Sequence, residues 1–215
     1  FELEDELPFE IDDTTYDFIP LQAHGAQSDV HVIITLKRHL KDYLERLKAW
    51  NLDPDILTTE SWSLFRLAQK VLPKESFVAP QLLVHFGETH SLFVLMQGNN
   101  LLLSRVIPWG GSVLRQVLSQ HLGIPFPDTD SVLRDNGFVV PASQFDQATP
   151  AQQEFSKYLQ EGLKKLLFEP RQTLLASKST TGSSIANVHL SGALSLIPGL
   201  RAFLQEELET KVDLF

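Results

Sequence analysis

Two glycine turns carry the residues whose types and spacing could do chemistry. The first is His85-Phe86-Gly87-Glu88-Thr89-His90, between the apolar runs Leu82–Val84 and Ser91–Leu95. A glycine at such a hairpin lets backbone amides approach an anion closely, because no Cβ intervenes. The second is Ser191-Gly192-Ala193, followed by Ile197-Pro198-Gly199-Leu200, which reads as a strand, a turn and a helix N-terminus. A helix N-terminus presents unpaired N–H groups to negative charge. Together the two turns suit a clamp on the phosphates and nucleoside of a nucleotide lying between lobes. His85, His90 and His189 also permit a three-histidine metal site, but no acidic or second ligand-orienting partner stands beside them, so no metal is expected. No Ser/His/Asp spacing suggests a nucleophile, and cysteine is absent.

The elements that must position these turns follow from periodicity. Gln81–Phe86, Ser91–Gln97 and Asn100–Ile107 are apolar runs joined by Gly87-Glu88-Thr89 and Gly98-Asn99, which predicts a β-meander. Gly110-Gly111 opens a helix over Ser112–Leu122 that Gly123 closes. The polar stretch from Pro125 to Ala148 holds a short helix near Asp130–Asp135. Ala151–Leu175 is amphipathic and broken near Pro170, and Ser177–Ser184 reads as a surface loop. Asn187–Leu190 is a short buried strand that must pair with the strands after Gln81, and Leu200–Leu208 is the last helix.

Upstream the texture differs. Thr14–Leu21 alternates and is closed by Pro20, and Asp29–Leu36 is a β-branched second strand. Lys37–Trp50 is helical, with Leu40, Tyr43, Leu44 and Leu47 on one stripe and Asn51 as its stop. A short strand is expected near Asp55–Thr58, then a helix over Ser61–Leu72 with Ser61 as N-cap. A small ββαβ insert is the sum.

The 215 residues are 43% hydrophobic and 21% charged, which excludes a mainly disordered chain. No apolar run approaches the ~18–20 residues of a membrane span. With 18 basic against 27 acidic residues the net charge is −9, which argues against nucleic acid. Seven of those acidic residues fall between Glu2 and Asp13, with no basic residue among them. There is no initiator Met, and the sequence is read as a fragment of a longer protein.

In order and spacing these blocks resemble the second half of actin-like ATPase-fold proteins, in particular the bacterial group of the pilus protein PilM, the type II secretion protein GspL and the division protein FtsA. Phe1-Glu2-Leu3-Glu4-Asp5-Glu6-Leu7-Pro8-Phe9 is similar to the group's acidic lead into "(I/L)-P-F". Asn51-Leu52-Asp53-Pro54 is similar to its "GLxP", Arg105-Val106-Ile107-Pro108-Trp109-Gly110-Gly111 to "R-x-I-P-x-G-G", and Leu190–Leu200 to "L-S-G-G-x-x-x-I-P-G-L". The resemblance implies an α/β, actin-like (ribonuclease H-like) fold in two lobes lacking the N-terminal part of the first. Residues 1–76 are then the remnant of that lobe with its insert. Residues 77–215 are the second lobe, with an inserted subdomain at about 125–184.

The departures bear on function. Active members carry "D-x-G-x-x-x-T" in the hairpin, and His85 stands at the Asp position; an imidazole does not replace a carboxylate facing Mg²⁺ and its waters. The second glycine of the adenosine turn is Ala193. The resemblance therefore implies a vestigial nucleotide site of His85, Gly87, Glu88, Thr89, Gly192 and Ala193, weak or no hydrolysis, and no cofactor, with ATP and Mg²⁺ reserved for an active alternative. The function implied first is a non-catalytic GspL-like scaffold on the cytoplasmic face of the inner membrane, docking a secretion ATPase. A PilM-like protein that holds nucleotide and grips a membrane partner's N-terminal peptide is the second reading, and a polymerising ATPase the third. Expected partners are a secretion or pilus ATPase and inner-membrane assembly proteins, with a homodimer left open. Glu4, Asp5, Glu6, Tyr16 and Phe18 are the expected partner contacts, by charge steering and by strand addition at an edge.

Overall fold

The computed structural model describes residues 7–24 and 27–215. Two compact units divide the chain, one up to Ser63 and one from Leu64.

The first unit is a hairpin and a helix. Strands β1 (Thr14–His24) and β2 (Gln27–Leu36) pair antiparallel, with Thr14 opposite Leu36 and Phe18 opposite Val32. β1 does not close at Pro20. Proline lacks the ladder N–H, and the register shifts between Pro20 and Gln22, so an irregularity carries the strand past it. Helix α1 (Lys37–Ala49) follows, and Asn51, at φ 58°, ends it in the left-handed region that asparagine tolerates. The strand expected at Asp55–Thr58 is absent: residues 51–58 are all exposed, and no ladder pairs with them among the described residues. Helix α2 (Glu60–Val71), whose residues from Leu64 belong to the second unit, starts at Glu60 rather than Ser61. The Thr59 hydroxyl accepts the Trp62 N–H at 3.2 Å and lies 3.0 Å from the Ser61 hydroxyl, so Thr59 is the cap.

The second unit is built on a five-stranded sheet. Strands β3 (Gln81–Phe86), β4 (Ser91–Gln97) and β5 (Asn100–Ile107) form the meander at the predicted bounds. β6 (Asn187–Ser191) pairs parallel with β3, as the sequence required, and β7 (Val212–Leu214) pairs parallel with β6, giving the order β5-β4-β3-β6-β7. On one face Leu82, Val84, Phe86, Phe93, Leu95, Val188 and Leu190 enter a single core.

Helices cover that face. α3 (Gly111–Leu122) contributes Leu114 and Leu118, α4 (Thr129–Asn136) contributes Leu133, and α6 (Leu200–Leu208) contributes Phe203 and Leu204. α5 (Pro150–Thr181) is one helix of 32 residues through Pro170, where a break was expected, and it covers the expected loop as far as Thr181. An interior proline costs about 3 kcal/mol. Leu159, Leu163, Leu166 and Leu167 before it, and Pro170 and Thr173 around and after it, are all buried, so the continuous buried face outweighs the lost hydrogen bond. Arg171 also fastens this stretch, donating to the Glu207 carbonyl and carboxylate. The segment read as an inserted subdomain thus shares its core with the sheet. Trp109 locks α5 to the β5–α3 corner: its indole N–H donates to the Gly162 carbonyl at 2.8 Å, and both residues are buried.

Candidate functional site

The β3–β4 hairpin tip and the turn after β6 leave the sheet at the same end because β3 and β6 are adjacent and parallel. Between them lies a cavity of about 550 Å³. Gly87, Glu88, Gly111 and Arg115 line it from the hairpin and α3, Asp130, Leu133 and Arg134 from α4, and Ala193, Leu194, Leu196 and Ile197 from the turn.

The hairpin tip is sewn onto α3. Gly87 N–H donates to the His90 carbonyl at 3.0 Å, which makes the tight turn. The Gly111 and Ser112 amides, first in α3, donate to the Gly87 and Glu88 carbonyls at 3.0 and 2.9 Å. A Cβ on Gly110 would meet the Glu88 carbonyl oxygen at 2.5 Å, so a glycine at 110 is required by this close approach. Two amides of the α3 N-terminus are thereby occupied by protein carbonyls rather than left for an anion. On the other wall, Gly192 has φ 88° and a Cβ there would fall 2.1 Å from the Phe86 carbonyl oxygen. The Ser195 N–H and hydroxyl both donate to the Gly192 carbonyl.

Charged groups sit at the mouth. Glu88 Oε1 and Arg115 Nη2 form an ion pair, and the Arg115 guanidinium carbon lies 4.4 Å from the centre of the Phe126 ring. The Arg115 Nε is buried without a partner. Arg134 pairs with Asp130 and Asp135 at 3.1 and 3.2 Å.

Of the six residues read as a vestigial nucleotide site, Gly87, Glu88 and Ala193 line the cavity. His85 is half-buried on the sheet face opposite the core, its Nδ1 3.1 Å from the Ser191 hydroxyl. Gly192 shapes the turn, and Thr89 stands exposed at the tip, 3.3 Å from His90 Nδ1. His189 shares the His85 face but is held by Gln81 at 3.0 Å, and burial pulls its pKa down against the pull of Asp213. Among the described residues no group of three His, Asp or Glu could hold a metal. Arg115, Asp130 and Arg134 were not anticipated. The available signal for Arg115 was its place one helical turn after Gly111, where a side chain returns toward the hairpin.

In the first unit, Tyr16 and Phe18 stand on one face of β1, 49% and 47% exposed, across from Ile34 and Val32. A groove of about 630 Å³ lies beside α1, with Leu40, Leu44, Leu52 and Pro54 as its apolar wall and Lys37, Lys41 and Lys48 in a row along it. Glu4, Asp5 and Glu6 lie outside the described residues. No described helix is long and apolar enough to cross a membrane.

A mixed sheet with helices, a glycine hairpin and a strand–turn–helix facing it define an actin-like ATPase fold. Solved structures agree. The chain is similar to one in a PilM–PilN type IV pilus biogenesis complex, with a TM-score of 0.78 at 21% identity, covering 100% of this chain and 59% of that one. MreB 5 of Spiroplasma citri bound to AMPPNP aligns with a TM-score of 0.61 at 10% identity, over 83% of this chain and 60% of that one. The ethanolamine utilization protein EutJ of Carboxydothermus hydrogenoformans aligns at 0.57 and 14%, over 80% of this chain and 54% of that one. No curated protein matches the sequence. The family of the type IV pilus assembly protein PilM matches residues 1–215, and the chain belongs to it. It spans 59% of the length of the PilM-complex chain.

Proposed function

We propose that this chain acts in type IV pilus assembly by holding partners, without turning over ATP, at the cytoplasmic face of the inner membrane. The observation that carries the reading is the closed hairpin. His85 stands where active relatives by resemblance carry a metal-facing Asp, and it is hydrogen-bonded to Ser191. The first amides of α3 are spent on the Gly87 and Glu88 carbonyls. Neither arrangement supplies a Mg²⁺ carboxylate or a free amide cradle.

The first unit supports the partner half of the reading. Its groove, with an apolar wall of Leu40, Leu44, Leu52 and Pro54 and with Lys37, Lys41, Lys48, Glu45 and Asp53 along it, suits an extended peptide. The similar chain was solved in a complex with PilN, and the N-terminal peptide of such an inner-membrane partner is the occupant proposed here. The family match is to the pilus member of the group; the secretion reading that the sequence put first gains no support from it.

The full-length protein tests this in two assays. Isothermal calorimetry with the partner's N-terminal peptide is expected to show binding that Leu44→Glu weakens at least tenfold, since the substitution puts a charge in the apolar wall. ATP turnover is expected at the no-protein background. Turnover above background, or peptide binding indifferent to Leu44→Glu, would sink the corresponding half.

A further inference from the structure

The Glu88 side chain is turned back over the hairpin tip. One carboxylate oxygen is on Arg115. The other lies against the first turn of α3, where a Cβ built on Gly111 would be 2.8 Å from it. The carboxylate therefore sits on two electropositive features at once, a guanidinium and a helix N-terminus. The two partners differ in freedom. The Arg115 side chain is 18% exposed, pinned over the Phe126 ring, with its Nε buried and unpartnered; Glu88 is 56% exposed. Arg115 is thus the fixed element and Glu88 the one that can move. Arg134, the second cation of the cavity, is likewise neutralised by Asp130 and Asp135.

We infer that Glu88 is a built-in counter-ion that keeps the cavity closed to phosphate-bearing ligands, and that Arg115 is the anion-binding group it masks. An arriving phosphate chain must displace the carboxylate and is repelled by it. With Glu88 swung out to solvent, Arg115 faces a cavity whose remaining wall, Leu133, Leu194, Leu196 and Ile197, is apolar and large enough for the body of a ligand. The contact is autoinhibitory: the charge at position 88 sets whether the cavity takes an anion. This goes beyond the pilus reading and does not depend on any partner peptide.

The test uses the full-length protein and Glu88→Gln, a near-isosteric change at an exposed side chain, with unchanged melting as the control for folding. Calorimetry with inorganic pyrophosphate and, separately, with ATP measures anion binding. Glu88→Gln is expected to bind pyrophosphate at least about fivefold tighter than the parent, with affinity that falls as salt rises. Adding Arg115→Gln, which keeps a polar group on the buried stem, removes the gain. If ATP gains more than pyrophosphate, the apolar wall holds a nucleoside; if both gain equally, the masked site is for phosphate alone. Equal binding by parent and Glu88→Gln overturns the inference, as does a gain that survives Arg115→Gln. ATP turnover by the parent would sink the proposed function while leaving this comparison intact.

Discussion

The two units dispose of their apolar residues in opposite ways. From Leu64 onward the side chains close on themselves: Phe93, Leu95, Leu114, Leu159 and Leu163 are almost wholly buried in one core between sheet and helices. Up to Ser63 no described hydrophobic residue is buried, and Tyr16, Phe18, Tyr43, Leu44, Trp50, Leu52 and Ile56 are exposed by 40% or more. A hairpin with one helix is too small to build a core of its own. The difference teaches a division of labour: the second unit is held by its interior, and the first presents its apolar residues outward as a surface to be covered.

That contrast can be broken at its strongest point first. Phe93→Ala removes a ring 1% exposed and is expected to cost about 3–5 kcal/mol in denaturant unfolding. Leu44→Ala, at 40% exposure, should stay within about 0.5 kcal/mol. Equal losses would erase the distinction. Trp109→Phe keeps most of the packing but removes the indole hydrogen bond to the Gly162 carbonyl, which keeps its helical partner, for an expected loss of about 0.5–1.5 kcal/mol.

A pH titration probes the second unit more finely. Burial lowers the His189 pKa below its ordinary 6.5. The folded state then binds fewer protons than the unfolded one, so this contribution to stability is full above about 6.5 and is lost as pH falls from there through the folded value. His189→Gln should flatten the unfolding free energy over that window. A slope unchanged by the substitution would assign it to other groups. The smallest effect expected is on the stability of Trp50→Ala, a ring 70% exposed, which should be within about 0.5 kcal/mol of the parent.

The meander was legible because Gln81–Phe86, Ser91–Gln97 and Asn100–Ile107 are dense apolar runs cut by glycine turns, and their bounds are those of β3, β4 and β5. β7 was not, because Val212-Asp213-Leu214 is too short to show a period and is a strand only by its place beside β6. Pro170 misled in the usual direction: local propensity predicted a break, and burial of the leucine face overrode it. At the cavity the two glycine turns were legible because close backbone approach leaves a residue-type signature. The Glu88–Arg115 pair leaves none: either residue alone reads as a solvated surface charge, and 27 positions separate them.

The centre of the sheet joins β3 to a strand that arrives about a hundred residues later, with the Val84–Leu190 pairing standing for the whole seam. During synthesis this has a cost in time. Until Asn187–Ser191 has left the ribosome, the inner edge of β3 carries unpaired N–H and C=O groups on a run of buried-type side chains, the kind of edge that recruits other chains. A chain halted anywhere between α3 and β6 therefore leaves that edge open, and β3 gains its second neighbour only when the last quarter of the second unit is made.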